Sequence, residues 1–151
     1  MNFPVGEIVS KGSVPFNFFS LIEEYSKKKF NGYIIQSIYD NFIEEGVMFF
    51  REGELFACCV ECMSLNKLIK GDEAFSYFLN QTKGKGLFHV VGLSRSQVDL
   101  VTAFDEKLIL VNKIALKDIP KLIPNVFEQR FLPIKEESKL DLGDYGLGEL
   151  K

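Results

Sequence analysis

The sequence predicts an α+β fold, in which a central antiparallel sheet of four to five strands carries packed helices. Residues 30–60 hold three short runs of strand-forming residues separated by turn residues, a pattern typical of an antiparallel meander. Segments with helical spacing of apolar residues lie on both sides of this meander along the chain. Because the strands are apolar at consecutive positions, both faces of the sheet should be covered by helices or by a partner subunit.

The three strands of the meander are expected over residues 33–38, 47–50 and 55–60. Between the second and third strands, Arg51 and Glu52 can form a type I turn, with Gly53 as a left-handed bulge residue. This hairpin defines the centre of the predicted sheet. A fourth strand is expected over residues 87–91, and residues 4–9 are expected to form either a short leading strand or extended chain.

The first helix is expected over residues 16–29, where apolar side chains recur at helical spacing opposite a charged face. Ser13 is the predicted N-cap, and Pro15 lies in the first turn. Residues 63–70 are ambiguous, although their apolar spacing favours a helical turn. Three further helices are expected, and the first of them begins at Gly71. The second is capped by Ser94 or Ser96 and carries Val98, Val101, Phe104 and Leu108. The third is capped by Asp118 and runs over residues 119–127 with a kink at Pro124.

Length and composition predict one domain. The chain has 151 residues, of which 46% are hydrophobic, and its 15 Phe residues supply core material in the absence of Trp. We expect the domain to span residues 1–133, followed by a flexible tail over residues 134–151 that is charged and punctuated by glycine. A chain of this length buries roughly 68–70% of its unfolded surface.

Charge and hydropathy limit the classes of partner. The formal net charge is −3 and the pI is about 5.3, which argues against a dedicated nucleic-acid-binding protein. The first residues lack the pattern of a signal peptide, and no apolar run approaches the roughly 18 residues of a membrane span. We therefore expect a cytoplasmic protein that binds neither nucleic acid nor membrane.

The three cysteines lie within residues 58–62, and Cys59 and Cys62 form a Cys-x-x-Cys pair. Such a pair can serve thiol redox chemistry or bind a metal, and His89 could supply a third metal ligand. However, the pair lies at the end of an apolar strand rather than at a helix N-terminus, and no second cysteine pair exists. We interpret the cysteines as small core residues, with redox or metal function as the alternative.

The sequence indicates no catalytic, cofactor-binding or metal-binding residues. His89 is the only histidine, and no nucleophile motif accompanies it. Four acids lie near the predicted turns and are expected to be solvated there, namely Glu44, Glu45, Glu52 and Glu54. We therefore expect no enzyme and no cofactor.

Four sequence blocks resemble the PATAN-like domains, and an uncharacterised archaeal family shows a similar arrangement. The blocks are FNGY at residues 30–33, GVMFFREGELFA at 46–57, GDEAF at 71–75 and GLF at 86–88. The resemblance covers about half the chain and implies a fold with this hairpin, a helix that begins at Gly71 and a closing strand. It also implies a non-catalytic regulatory or protein-interaction module, and supplies no catalytic residues to transfer.

The leading hypothesis is a cytoplasmic, non-enzymatic interaction or regulatory module with a protein partner or a homo-oligomeric state. The alternatives are the thiol-based protein centred on Cys59 and Cys62 and a small-ligand sensor with a pocket between sheet and helices. The tail is a further candidate partner-binding segment. Its apolar residues could anchor in a groove of a partner, and they are Leu140, Leu142, Tyr145, Leu147 and Leu150.

Overall fold

A computed structural model describes residues 3–131, which form a six-stranded antiparallel sheet with four α-helices. This confirms the predicted α+β class, although the sheet has more strands than expected. The strand order is β1-β6-β2-β3-β4-β5. The strands are β1 (Glu7–Val14), β2 (Gly32–Tyr39), β3 (Ile43–Arg51), β4 (Glu54–Cys62), β5 (Lys67–Lys70) and β6 (Gly86–Gly92), and the helices are α1 (Phe18–Lys27), α2 (Asp72–Gln81), α3 (Arg95–Phe104) and α4 (Ile119–Leu122).

The predicted meander forms the centre of the sheet as β2, β3 and β4. In the β3–β4 hairpin, Arg51 pairs with Glu54, which leaves a two-residue loop. Both loop residues have positive φ, 49° at Glu52 and 83° at Gly53. This is the signature of a type I′ turn, whose twist matches that of the flanking strands. The left-handed Gly53 is confirmed, but the predicted type I turn is wrong because Glu52 is also left-handed.

Both faces of the sheet are covered within the chain. The face that we call face A carries Ile34, Met48 and Val60, and it packs against α1 and α2. The opposite face, face B, carries Val47, Phe49 and Cys59 among its buried residues, with Val101 of α3 packed against them. Helices therefore cover the centre of both faces, as predicted, although Tyr39, Ile43 and Leu87 on face B stay exposed.

The N-terminal part of the chain differs from the prediction. Ser13 does not cap a helix, because it pairs with Leu87 in the β1–β6 ladder. The N-cap of α1 is Asn17, whose Oδ1 accepts a hydrogen bond from the Ser20 amide at 3.0 Å. Strand β1 extends to Val14, beyond the expected residues 4–9, because its length is set by pairing with β6, which begins more than 70 residues later.

Three further boundaries differ. The ambiguous residues 63–70 form a 3-10 turn followed by β5. Helix α3 ends at Phe104, and Leu108 lies in a separate 3-10 turn. The last helix is a single turn with Pro120 in its first positions, and residues 123–127 leave it as irregular chain.

Gly46 creates space for a buried polar side chain between α2 and the sheet. It lies on β3, paired with Gln36 on one side and Val60 on the other. A Cβ atom at this position would lie 2.1 Å from Gln81 Oε1 and 3.0 Å from the Phe78 ring. A larger residue would therefore displace Gln81, which is fully buried.

We predict that Gly46→Ala lowers the free energy of unfolding by about 2–3 kcal/mol, because helix α2 or Gln81 must move. Gly92→Ala is the matched control, since its added Cβ meets nothing closer than 3.5 Å and should cost less than about 1 kcal/mol. Urea denaturation measures both. Equal losses in the two variants would show that the space above Gly46 is not needed.

Candidate interaction site

The structure separates the cysteines of the Cys-x-x-Cys pair. Cys59 belongs to the face B core, whereas Cys58 and Cys62 belong to the face A core. Side chains of a strand alternate between faces, so positions 59 and 62 project in opposite directions. Cys58 and Cys62 share a face but lie roughly 13 Å apart along the strand. The structure thus places all three cysteines in the core, as we interpreted them.

His89 lies far from Cys59. The ladder aligns His89 with Ile35, Ile35 with Val47, and Val47 with Cys59 across four strands. Three strand spacings separate the two residues, which amounts to roughly 14 Å. Within residues 3–131, no group of three potential metal-ligating side chains is found.

Burial also suppresses the reactivity of the thiols. It raises the pKa of Cys59 to about 12 and raises the pKa of Cys58 well above its usual value. It raises the pKa of Cys62 as well, although hydrogen bonds from the Leu65 and Ser64 amides oppose this change. Because the thiolate is the nucleophile, thiols with raised pKa values react slowly at neutral pH.

We predict that a thiol reagent such as DTNB labels none of the three cysteines rapidly in the native protein at pH 7.5. All three should react within seconds in 6 M guanidinium chloride, because unfolding restores solvent access and an ordinary thiol pKa. Absorbance at 412 nm counts the released thiolate. A native thiol that reacts as fast as it does in the denatured chain would restore the redox hypothesis.

The four acids of the hairpin region have different environments. Glu52 and Glu54 are exposed near the turn, as expected. Glu45 is half-buried on face B, where burial, followed by repulsion from Glu61, raises its pKa. Glu44 is only 2% exposed on face A, so the prediction of a solvated side chain is wrong for this residue. Adjacent residues of a strand project to opposite faces of the sheet, so with Glu45 on face B, Glu44 must project into the face A core.

A ladder of amides holds the buried Glu44. Gln81 Nε2 donates to Glu44 Oε1 at 3.0 Å, and Gln36 Nε2 donates to Gln81 Oε1 at 3.1 Å and to the Phe78 carbonyl at 3.0 Å. Burial raises the pKa of Glu44, and the hydrogen bond from Gln81 only partly opposes this change. Folding thus makes ionisation of Glu44 less favourable than it is in the unfolded chain.

We predict that Glu44→Gln raises the free energy of unfolding at pH 7 by on the order of 1 kcal/mol. The folded protein holds the Glu44 proton more tightly than the unfolded chain does. Protonated Glu44 therefore stabilises the wild type fully below the unfolded pKa of about 4.5, and this contribution is lost as pH rises through the raised folded pKa. The variant should therefore gain most at pH 7 and least at pH 4. Chemical denaturation across this range tests the prediction, with the exposed Glu7→Gln as control.

The main apolar opening lies on face B, between α3 and the edge of the sheet. We call it the α3 groove; it is a cavity of about 400 Å³. Its apolar walls come from the N-terminal segment, β5 and α3, and include Phe3, Leu68, Leu100, Phe104 and Leu108. One ion pair crosses it, in which Lys70 Nζ donates to Asp105 Oδ2. This pair is the first cause of the lowered pKa of Asp105.

The rim of the α3 groove exposes large apolar side chains. Phe104 is 85% exposed, although the sequence places it on the apolar stripe of α3 with Val98 and Val101. Leu68 and Leu100, also lining residues of the groove, are each nearly half exposed. Contiguous apolar surface of this kind marks binding sites in soluble proteins. Its signal in the sequence was the length of the stripe, which extends one position beyond what the sheet can cover.

A second cavity, of about 370 Å³, lies on face A beside the β3–β4 hairpin. Its base is apolar and comes from α1, α2 and the chain after α3, with Ile22, Phe75 and Ile119 among the lining residues. Polar groups stand at its rim, including Glu54, Asp72 and Lys113. Its volume falls in the range of small-molecule sites.

The predicted partner-binding residues of the tail, Leu140 to Leu150, lie outside residues 3–131, the part that the structure describes. The same is true of the predicted boundary at residue 133. Among the described residues, no helix is long and apolar enough to cross a membrane.

Residues 1–105 of the chain match a family described as "uncharacterized protein conserved in archaea", DUF2226. The match covers β1 to β6 and α1 to α3, and thus the whole sheet and the α3 helix. The comparison with curated proteins and the comparison with solved structures each gave no match.

Proposed function

Because the chain belongs to the archaeal family DUF2226, whose description names no activity, we propose its function from the site geometry: it is a non-enzymatic protein-interaction or regulatory module that uses the α3 groove. The observation that supports this most directly is Phe104, which is 85% exposed beside an apolar cavity of about 400 Å³. Exposing a Phe side chain forgoes roughly 1.5–3 kcal/mol of burial, and binding a partner would recover it.

The partner that fits the α3 groove best is a second copy of the chain. A twofold dimer places the same surface of both copies in contact, so a surface that carries both a protrusion and a cavity can be complementary to itself. Phe104 provides the protrusion, and the groove beside it provides the cavity. In such a dimer, Phe104 of each copy enters the groove of the other.

The finer assignment, to the PATAN-like domains, is part of the same proposal. The glycines that carry the resemblance have structural roles that fit it: Gly53 forms the turn of the β3–β4 hairpin, and Gly71 precedes α2 with a φ of 71°. Those domains are regulatory or interaction modules. The net charge of −3 supports a partner other than nucleic acid, and we propose a cytoplasmic location.

Of the two alternative functions, one has a specific observation in its favour. A small-ligand sensor could use the face A cavity of about 370 Å³, with an apolar base and a polar rim. Native mass spectrometry of the purified protein would detect a co-purified molecule. We do not favour the thiol-based alternative, because Cys59 and Cys62 lie on opposite faces of the sheet.

We predict that the protein dimerises at micromolar concentration and that Phe104→Ser raises the dissociation constant at least 30-fold, which corresponds to about 2 kcal/mol for one aromatic anchor. Val111→Ser removes a comparably exposed apolar side chain, 79% exposed, away from the groove and should leave the constant unchanged. Analytical ultracentrifugation measures all three proteins. A wild type that remains monomeric at 500 µM would reject the homodimer, and equal effects of the two variants would reject the α3 groove as its interface.

A further inference from the structure

The chain after α3 covers face A with little regular structure. We call residues 109–131 the strap. Its only helical parts are a 3-10 turn at Leu116–Asp118 and the single turn α4, and it lies beyond the residues that match the family. Its apolar side chains nevertheless pack on the face A core, and they are Leu110, Leu116, Ile119, Ile123, Phe127 and Phe131.

Helix α2 holds the strap at both of its ends, and it does so through the backbone of the strap. At the start of α2, Asp72 accepts hydrogen bonds from the amides of Val111 at 2.9 Å and Asn112 at 3.2 Å. Near its end, Asn80 Nδ2 donates to the Glu128 carbonyl at 2.8 Å, and Asn80 Oδ1 accepts from the Glu128 amide at 3.0 Å. A side-chain amide that bonds both backbone groups of one residue recognises an extended chain irrespective of its side chains.

Two aromatic side chains of the strap flank the contact with Asn80. Phe131 is 3% exposed, and its ring centroid lies 5.2 Å from that of Tyr77 on α2. Phe127 packs over Gly84, where an added Cβ would lie 3.3 Å from its ring. The strap thus places two bulky anchors four residues apart against the α2 side of face A, on either side of the backbone contact with Asn80.

The surface along α2 that the strap covers also has a charge preference. Arg130 lies over the Tyr77 ring, 5.5 Å from its centroid, and donates a hydrogen bond to Ser76 Oγ at 3.1 Å. Gln129 faces two acids, since its side chain donates to Asp40 at 3.5 Å and lies within hydrogen-bonding reach of the buried Glu44. An acidic residue in place of Gln129 would lose this hydrogen bond and meet repulsion from Asp40, and an acid in place of Arg130 would lose the contact with the Tyr77 ring.

We propose that the groove along α2, formed by Asn80, Tyr77 and Gly84, is a docking site for an extended peptide segment of a partner protein, and that the strap occupies it in cis. The segment carries two bulky apolar residues four positions apart, a basic residue just before the second, and no acid at the position before that. This site is separate from the α3 groove, so it does not rest on the proposed homodimer.

The strap is suited to displacement. Its backbone pairs with the sheet only at its start, where Leu110 donates to the Phe56 carbonyl and Ile109 bridges to Ala57. Beyond that point its hydrogen bonds to the domain come from side chains, chiefly Asp72 and Asn80, whereas the strands beneath it pair along their full length. Segments held in this way open locally at lower free energy than the core they cover. A partner segment then competes with the tethered strap. The observed dissociation constant is the intrinsic one divided by the fraction of molecules in which the strap is open.

The test uses the full chain with the strap anchors removed, Phe127→Ser/Phe131→Ser, and a fluorescein-labelled peptide of residues 121–131 as the probe. Fluorescence anisotropy should show at least tenfold tighter binding to this variant than to the wild type. Adding Asn80→Ala to the variant should weaken binding at least tenfold. Val126→Ser, a strap substitution at a 66% exposed position, should bind the peptide as the wild type does.

A folded double variant that fails to bind the peptide, or one that binds equally well with and without Asn80, would overturn the proposal. Hydrogen exchange on the wild type provides a measurement that needs no variant. The amides of Val111 and Glu128 should exchange at least tenfold faster than those of Met48 and Val90 in the sheet. Equal protection of the two sets of amides would show that the strap is part of the core, whether or not the double variant folds.

Discussion

The central constraint on this structure is that β2, β3 and β4 are apolar on both faces. Met48 and Phe50 of β3 contribute to one core while Val47 and Phe49 contribute to the other, and all four are fully buried. A sheet of this kind cannot leave one face in water, so each face needs its own cover. The arrangement of the rest of the chain follows from how these two covers are made.

The two covers differ in extent. Face A receives α1, α2 and the whole strap, and its core includes residues from all of them. Face B receives α3 and the first residues of the chain, with Phe3 packed edge-on against Phe49 at a ring distance of 4.9 Å. Beyond these elements, face B exposes Tyr39, Ile43 and Leu87. The difference explains why the exposed apolar groove lies beside α3, while the cavity on face A is bounded by the strap.

The sequence predicted the class of fold because its strongest signals are local. Gly53 lies in a short turn between two apolar runs, and Gly71 precedes a helix, so neighbouring residues suffice to recognise both. Strand β1 was expected only over residues 4–9, with extended chain as the alternative, because its full length depends on pairing with β6, which begins more than 70 residues later. The strap was misjudged for a related reason: its apolar residues follow the shape of the groove rather than a helical period, so a longer helix was expected.

The candidate sites were less predictable than the fold because they depend on which residues the packing leaves over. Glu44 and Glu45 are adjacent and chemically equivalent in the sequence, and only the register of β3 decides that Glu44 meets Gln81. Likewise, Val101 and Phe104 belong to the same apolar stripe of α3, but packing buries only Val101, and Phe104 remains 85% exposed. The exposed apolar surface beside α3 thus arises where a regular pattern continues past the core that it serves. A periodic sequence indicates such a pattern, but only the extent of the sheet shows where its cover ends.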